Sequence, residues 1–273
     1  MMFHRPSPFY TEDSQPKDPD ISLRDLFDTS LLRQQIKLWV KEQLTTPYQK
    51  PFFPIVHHDE AKIEFKFDRP EAFEQWQITS DNELKCGYSK CELLMSKNKT
   101  AIFRGYLDQT VPRDGKTSYS GLCSMKSRRR LKSFFRPIEY EYWAKFTHMV
   151  LKVRGDGRNY AVICHTPGFL DVTWHDYYSY PLYTHGGPYW QYIKIPFSRF
   201  YKASHARILG DQWPLLVGRD VENVQAPIVS MAISLYDLND GPFNLEIDWI
   251  GLYQNNTHRE EFAYESYKPP NRF

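Results

Sequence analysis

Met149-Val150-Leu151-Lys152-Val153-Arg154-Gly155-Asp156-Gly157-Arg158-Asn159-Tyr160-Ala161-Val162-Ile163-Cys164 is the stretch on which the reading of the fold turns. Met149, Leu151 and Val153 alternate with Val150, Lys152 and Arg154, a period of two that places one set of side chains on one face of a strand. Two glycines around Asp156 supply the positive φ angles of a tight reversal, so the segment predicts a β-hairpin. The same period recurs outward in both directions. Ile63, Phe65 and Phe67 alternate with Lys62, Glu64, Lys66 and Asp68, and Tyr119, Gly121, Cys123 and Met125 repeat at every second position. Further strands are expected at Tyr192–Ile195, Ile228–Leu235 and Asn244–Tyr253. Short strands joined by Gly, Pro, Asn and Asp turns argue for an all-β antiparallel sandwich with Ile63, Phe65, Phe67, Leu151, Val153, Ile195 and Ile247 facing inward.

Ahead of the strands the period changes. Leu32, Ile36, Trp39, Val40 and Leu44 recur at spacings of three and four, with Asp28, Thr29 and Ser30 as N-cap candidates and Pro47 as a stop. An N-terminal amphipathic helix is expected, its apolar stripe packed on the sandwich of its own chain, with a partner's surface as the alternative. The organisation read from these patterns is a mobile arm over 1–20, a helix and Pro-rich connection over 21–61, the β-sandwich over 62–255 and a tail over 256–273.

The 273 residues carry 35 Lys and Arg against 33 Asp and Glu, so the net charge of +2 offers no global attraction to nucleic acid, and no nucleic-acid partner is expected. Four cysteines, Cys86, Cys91, Cys123 and Cys164, lack CxxC pairing and read as reduced, mostly buried thiols. No run of apolar residues is long enough to cross a bilayer. Met1–Thr11 carry only His4 and Arg5 as basic groups, a poor match to an Arg-rich transit peptide, which leaves a removed presequence or an unusual import signal.

Catalytic signatures are weak, and no catalytic residue, metal or cofactor is assigned. Gly155-Asp156-Gly157 does not complete a dinucleotide loop, and neither a GxSxG elbow nor a phosphate-binding GK[ST] is present. His57, His58, Asp59 and Glu60 are adjacent on extended backbone and point apart. His165, His175, Asp176 and His185 are spaced unlike zinc ligands. Asp237, Asp240, Glu246 and Asp248 suit turn chemistry, with calcium the alternative.

Two surface features stand out. Trp174, Tyr177, Tyr178, Tyr180, Tyr183 and Tyr189, followed by Trp190 and Tyr192, are broken by Pro181 and Gly186-Gly187-Pro188, which implies a loop-borne aromatic platform for a protein contact or for stacking on sugars. Lys126, Arg128, Arg129, Arg130, Lys132 and Arg136, with Phe134 and Phe135 among them and no acid, form a basic patch for an anionic lipid surface or an acidic partner.

Four ordered blocks resemble a known family. Trp76-Gln77-Ile78-Thr79-Ser80-Asp81 followed by Gly87-Tyr88-Ser89 is similar to its opening Trp, Ser-Asp and Gly-Gly-x-Ser segment, with Cys86 in place of the first glycine. Ala101–Gly105 and Tyr119–Leu122 resemble its next strand pair, Trp190–Phe200 its Ile-Pro-Phe strand end, and Asp240–Ile250 its closing strand. The set is similar to the complex I intermediate-associated protein 30 family. That resemblance implies a galactose-binding-domain-like jelly roll and a non-catalytic, chaperone-like assembly factor for respiratory complex I. It also implies a matrix location peripheral to the inner membrane. The implied partners are membrane-arm assembly intermediates, an acyl-CoA dehydrogenase-derived factor and an adaptor protein. The competing reading is a carbohydrate-binding module that uses the aromatic segment 174–192.

Overall fold

The computed structural model describes residues 29–45, 56–115, 117–128, 141–166, 176–204, 207–210, 212, 215 and 228–258. Helix α1 (Thr29–Thr45) precedes β1 (Ala61–Lys66), the short helix α2 (Pro70–Glu74), β2 (Trp76–Ser80), β3 (Lys90–Met95), β4 (Ala101–Leu107) and β5 (Cys123–Ser127). A 3₁₀ turn at Glu141–Lys145 leads to β6 (His148–Arg154), β7 (Asn159–His165), β8 (Asp176–Tyr183), β9 (Gln191–Pro196), β10 (Tyr201–Ser204), β11 (Arg207–Ile208), β12 (Ser230–Leu235) and β13 (Gly241–Tyr253).

The strands form two antiparallel sheets. The first has the order β3-β4-β13-β6-β9, with β1 also on β13, and the second the order β11-β10-β8-β7-β12-β5-β2. Strand β13 organises the first sheet: Gly241–Ile247 pair with β4 and Trp249–Tyr253 with β1, while Glu246–Tyr253 pair with β6. Since β6 takes one edge of β13, β4 and β1 share the other in succession. Alternate residues of both sheets meet between the layers, where Phe67, Phe103, Leu107, Met125, Trp143, Met149, Leu151, Leu182, Ile195, Phe197 and Phe200 are wholly or almost wholly buried. Phe65 packs edge-on to Trp76 at 5.2 Å, the ring geometry favoured by aromatic quadrupoles. The chain is thus an antiparallel jelly-roll β-sandwich with an N-terminal helix; the strand pattern led one to expect the antiparallel sandwich, and the family resemblance implied the jelly roll.

Four expectations are corrected. Met149–Cys164 is not a hairpin: β6 belongs to the first sheet and β7 to the second, so the Gly155–Arg158 reversal is a corner that carries the chain between layers. Gly157 has φ +93°, as expected, but a Cβ at Gly155 would lie 2.2 Å from the Thr184 side chain, and Thr184 Oγ1 accepts from Gly157 N–H and donates to Arg158 C=O. The corner is held from a neighbouring loop rather than by its own two strands. Likewise Ala101–Gly105 and Tyr119–Leu122 are not a strand pair: β4 lies in the first sheet, and Tyr119–Leu122 precede β5 of the second.

The third correction is Ile63, which is 50% exposed while Phe65, Phe67, Leu151, Val153, Ile195 and Ile247 are buried. A bulge between Ile63 and Phe65 inserts one residue against β13, and an insertion in a period of two turns the residues before it to the other face. The fourth is α1. Leu32, Ile36, Leu38, Trp39 and Val40 expose 42–47% of their surface, and none joins the sandwich core.

Candidate functional site

The two motif blocks at the start of the family-like segment meet in a buried anchor. Asp81 follows β2 and is 0% exposed. Its Oδ1 accepts from Ser89 N–H at 2.8 Å, and its Oδ2 accepts from Gly121 N–H at 2.7 Å, Leu122 N–H at 3.3 Å and the Ser89 and Ser120 hydroxyls at 3.0 Å each. A carboxylate can be buried only if its lone pairs are met in this way. A Cβ at Gly87 would sit 2.2 Å from Asp81 Oδ2, so the loop passes over the carboxylate only without a side chain there. The Cys86 thiol beside this loop lies 3.5 Å from the Asp81 carbonyl, and burial pushes that thiol up from its ordinary pKa. These residues bind the protein to itself.

The aromatic segment is a strand and a loop rather than a platform. Tyr177–Tyr183 belong to β8, between β7 and β10. Tyr178 is 7% exposed within the core, and half-buried Tyr180 packs on Phe200 at 5.7 Å. Tyr177 covers Ala161, Ile163 and Ala232 on the opposite face of the sheet. Pro181 is tolerated in the strand because β10 pairs only with Asp176–Ser179, so no neighbour on that side calls for its missing N–H. Tyr183 and Tyr189 remain open to solvent, at 62% and 83% exposure. Trp174 lies outside the described residues.

A different aromatic group gathers on the outer face of the first sheet. Register places Tyr192 of β9 opposite Lys152 of β6, and Lys152 opposite Trp249 of β13, with Lys66 of β1 beyond. Tyr192 and Trp249 rings are 6.3 Å apart and inclined at 58°. Lys152 Nζ lies 5.3 Å from the Trp190 ring centre and 5.7 Å from that of Tyr192, and the Arg154 guanidinium is 5.1 Å from Trp190. One row further on, Lys194 Nζ stands 3.8 Å over the Tyr253 ring. Lys152 also pairs with Asp248 at 2.7 Å, and that hydrogen bond raises its pKa above the usual lysine value. Glu246 takes Arg154 Nε at 2.9 Å and the Thr100 hydroxyl at 2.5 Å.

Trp190 and Tyr192 were visible in the sequence as part of the aromatic run. Trp249, Lys152 and Tyr253 were not, because their convergence depends on which strands are neighbours. A bulge between Ile247 and Trp249 brings Trp249 to the outer face while Ile250 faces the core.

Of the basic patch, half-buried Lys126 sits within β5 opposite Ala232 and Gln77, and exposed Arg128 follows β5 with its N–H on Gln75 C=O at 2.7 Å. Arg129, Arg130, Lys132 and Arg136 lie outside the described residues. The acids considered for calcium are committed elsewhere: Asp237 to Arg158 at 2.6 Å, Asp240 to Gln109 N–H at 2.8 Å, and Glu246 and Asp248 as above. His57–Glu60 form a turn in which Glu60 accepts from His57 N–H and Asp59 from the Tyr253 hydroxyl. Among the described residues no three His, Cys, Asp or Glu side chains converge as metal ligands. No described helix is long and apolar enough to cross a membrane.

Comparison with known proteins places this geometry. A family model described as complex I intermediate-associated protein 30 matches residues 65–247. The probable complex I intermediate-associated protein 30, mitochondrial, of Caenorhabditis briggsae is 40% identical over 263 residues, covering 93% of this chain and 75% of the relative. The Drosophila melanogaster protein named complex I intermediate-associated protein 30, mitochondrial, is 36% identical over 242 residues, 88% of this chain and 78% of its own length. The mouse protein of that name is 36% identical over 234 residues, 85% and 68% respectively. Among solved structures, a family 11 carbohydrate-binding module from Clostridium thermocellum in complex with a mixed-linked tetrasaccharide superposes with a TM-score of 0.45 at 15% identity, over 74% of this chain and all of that one. The family match spans the Asp81 anchor and β13 as far as Ile247, and the chain belongs to the complex I intermediate-associated protein 30 family.

Proposed function

We propose that the protein is a non-catalytic scaffold that holds intermediates of mitochondrial respiratory complex I, with the outer face of the β9-β6-β13 region as its docking surface. One observation carries this reading: Trp190, just before β9, gathers with Tyr192, Trp249 and Tyr253 of the sheet among Lys152, Arg154 and Lys194. Large aromatics with cationic neighbours are the residue types that dominate protein interfaces. Exposed Tyr189, beside Trp190 in the loop before β9, extends the surface, whereas exposed Tyr183 ends β8 of the second sheet and Tyr178 and Tyr180 serve the core. The partners in this reading are membrane-arm intermediates, together with the acyl-CoA dehydrogenase-derived factor and the adaptor. The location is the matrix side of the inner membrane, in peripheral contact with anionic lipid.

Sugar binding is the less favoured use of this face. A pyranose needs an open aromatic plane, but the Trp190 and Tyr192 rings already have Lys152 and Arg154 against them, and the Tyr192 and Trp249 planes are inclined at 58°. The test is affinity purification from mitochondria with the tagged wild type and a Trp249→Ala/Tyr192→Ala variant, alongside titration with soluble β-glucans. Recovery of complex I subunits should fall, with a loss of about 2 kcal/mol per anchor, or about thirtyfold each. Undiminished recovery together with saturable glucan binding that the variant loses would replace the scaffold with the sugar-binding reading.

A further inference from the structure

The geometry points to α1 as the element that seats the protein on an anionic lipid surface, an inference that rests on the peripheral-membrane reading above and assigns it to one helix. At about 100° per residue, Trp39, Leu32, Ile36 and Val40 follow one another around about 100° of the helix surface. All four are exposed at 42–47% and none belongs to the sandwich core, so nothing in the core accounts for this stripe. Arg33 and Lys37 come next beyond Val40, about 20° and 60° further round, and both are exposed. The sequence adds Lys41 one turn later, and Glu42 is the only acid in Thr29–Thr45.

The order around the helix is therefore tryptophan at one border, aliphatic side chains in the middle and a row of cations at the other border. An apolar groove in a protein would accept the aliphatic middle, but would account for the cations only with acids along its margin. A bilayer interface accounts for both. Trp is stable at the headgroup level, and Arg and Lys lay their methylene stems along the acyl boundary while their charges reach lipid phosphates. The helix is also too short to cross: 17 residues extend about 25 Å against a hydrocarbon core of about 30 Å, so it lies in the plane of the interface.

The experiment uses the full chain in co-sedimentation with vesicles of phosphatidylcholine alone and of phosphatidylcholine with phosphatidylglycerol. Wild type should pellet with the anionic vesicles only, less so at high salt, and with a blue shift in tryptophan emission that a Trp39→Phe variant loses. An Arg33→Gln/Lys37→Gln variant should bind about 25-fold more weakly, about fivefold for each cation. An Ile36→Asp variant should lose binding while unfolding at the same urea concentration as wild type, because α1 is outside the core. If the Arg33/Lys37 and Ile36 variants bind as wild type does, the membrane reading survives and α1 is not its anchor. If wild type binds neither vesicle, both readings fall. If the variants keep vesicle binding but lose complex I subunits in affinity purification, α1 is a protein contact and the lipid assignment is overturned.

Discussion

Replacing Asp81 by Ala removes the acceptor on which two loops close, and the structure sets the size of the loss. Five donors point at the carboxylate, but they are not equally stranded. The Ser89 and Ser120 hydroxyls each lie 3.2 Å from Asp108 C=O and can turn to it. The N–H groups of Ser89, Gly121 and Leu122 have no such freedom, because backbone position fixes their direction. Each buried donor left without an acceptor costs about 1–3 kcal/mol, and a water entering the vacated space recovers part of it, so Asp81→Ala should lose about 4 kcal/mol. Asp81→Asn keeps the shape and one oxygen. Its oxygen can serve Gly121 and Leu122, which leaves an amide group facing Ser89 N–H, and the loss should be about 2 kcal/mol. Equilibrium urea unfolding followed by tryptophan fluorescence measures both. A loss below about 1 kcal/mol for the alanine variant would show that the anchor does not hold these loops in solution and would refute the reasoning.

The two tyrosines at the extremes of burial should behave oppositely. Tyr178→Ala opens a cavity in the core and should cost about 3–4 kcal/mol, while Tyr189→Ala, at 83% exposure, should stay within about 0.5 kcal/mol; equal denaturation midpoints would contradict the placement of β8. The thiols should also separate. Burial raises the Cys164 thiol pKa, and a hydrogen bond with Cys91 together with burial raises that of Cys123, so neither supplies thiolate at neutral pH. Half-buried Cys91 should therefore react first with a disulfide reagent in the native protein, read by peptide mass mapping, and labelling of Cys164 at the rate of Cys91 would count against the closed core.

Period-two alternation was enough to identify Ile63–Phe67, Met149–Val153 and Asn244–Tyr253 as strands and the whole as an antiparallel sandwich, because a half-buried strand must show one face to water. The helix at Thr29–Thr45 was legible for the analogous reason, a period near 3.6. Which strands become neighbours is not written in that alternation. Gly155-Asp156-Gly157 looks the same whether the chain folds back beside itself or turns a corner into the second layer; the pairing of β6 with β13 and β9, and of β7 with β12 and β8, makes it a corner, which Thr184 then bridges from another loop. The bulges beside Phe65 and Trp249 likewise reverse faces through pairing with another strand, so Ile63 was expected inside and Trp249 was read only as part of the closing motif strand. The aromatic run from Trp174 to Tyr192 was visible as composition, yet the tyrosines of β8 divide between core and surface according to the side of the strand on which each falls. Local periodicity thus determined the elements, since burial on one face is a property of a single strand. The tertiary structure decided the candidate site, because Trp190, Lys152, Tyr192 and Trp249 meet only through hydrogen bonding among β9, β6 and β13, segments up to about a hundred residues apart along the chain.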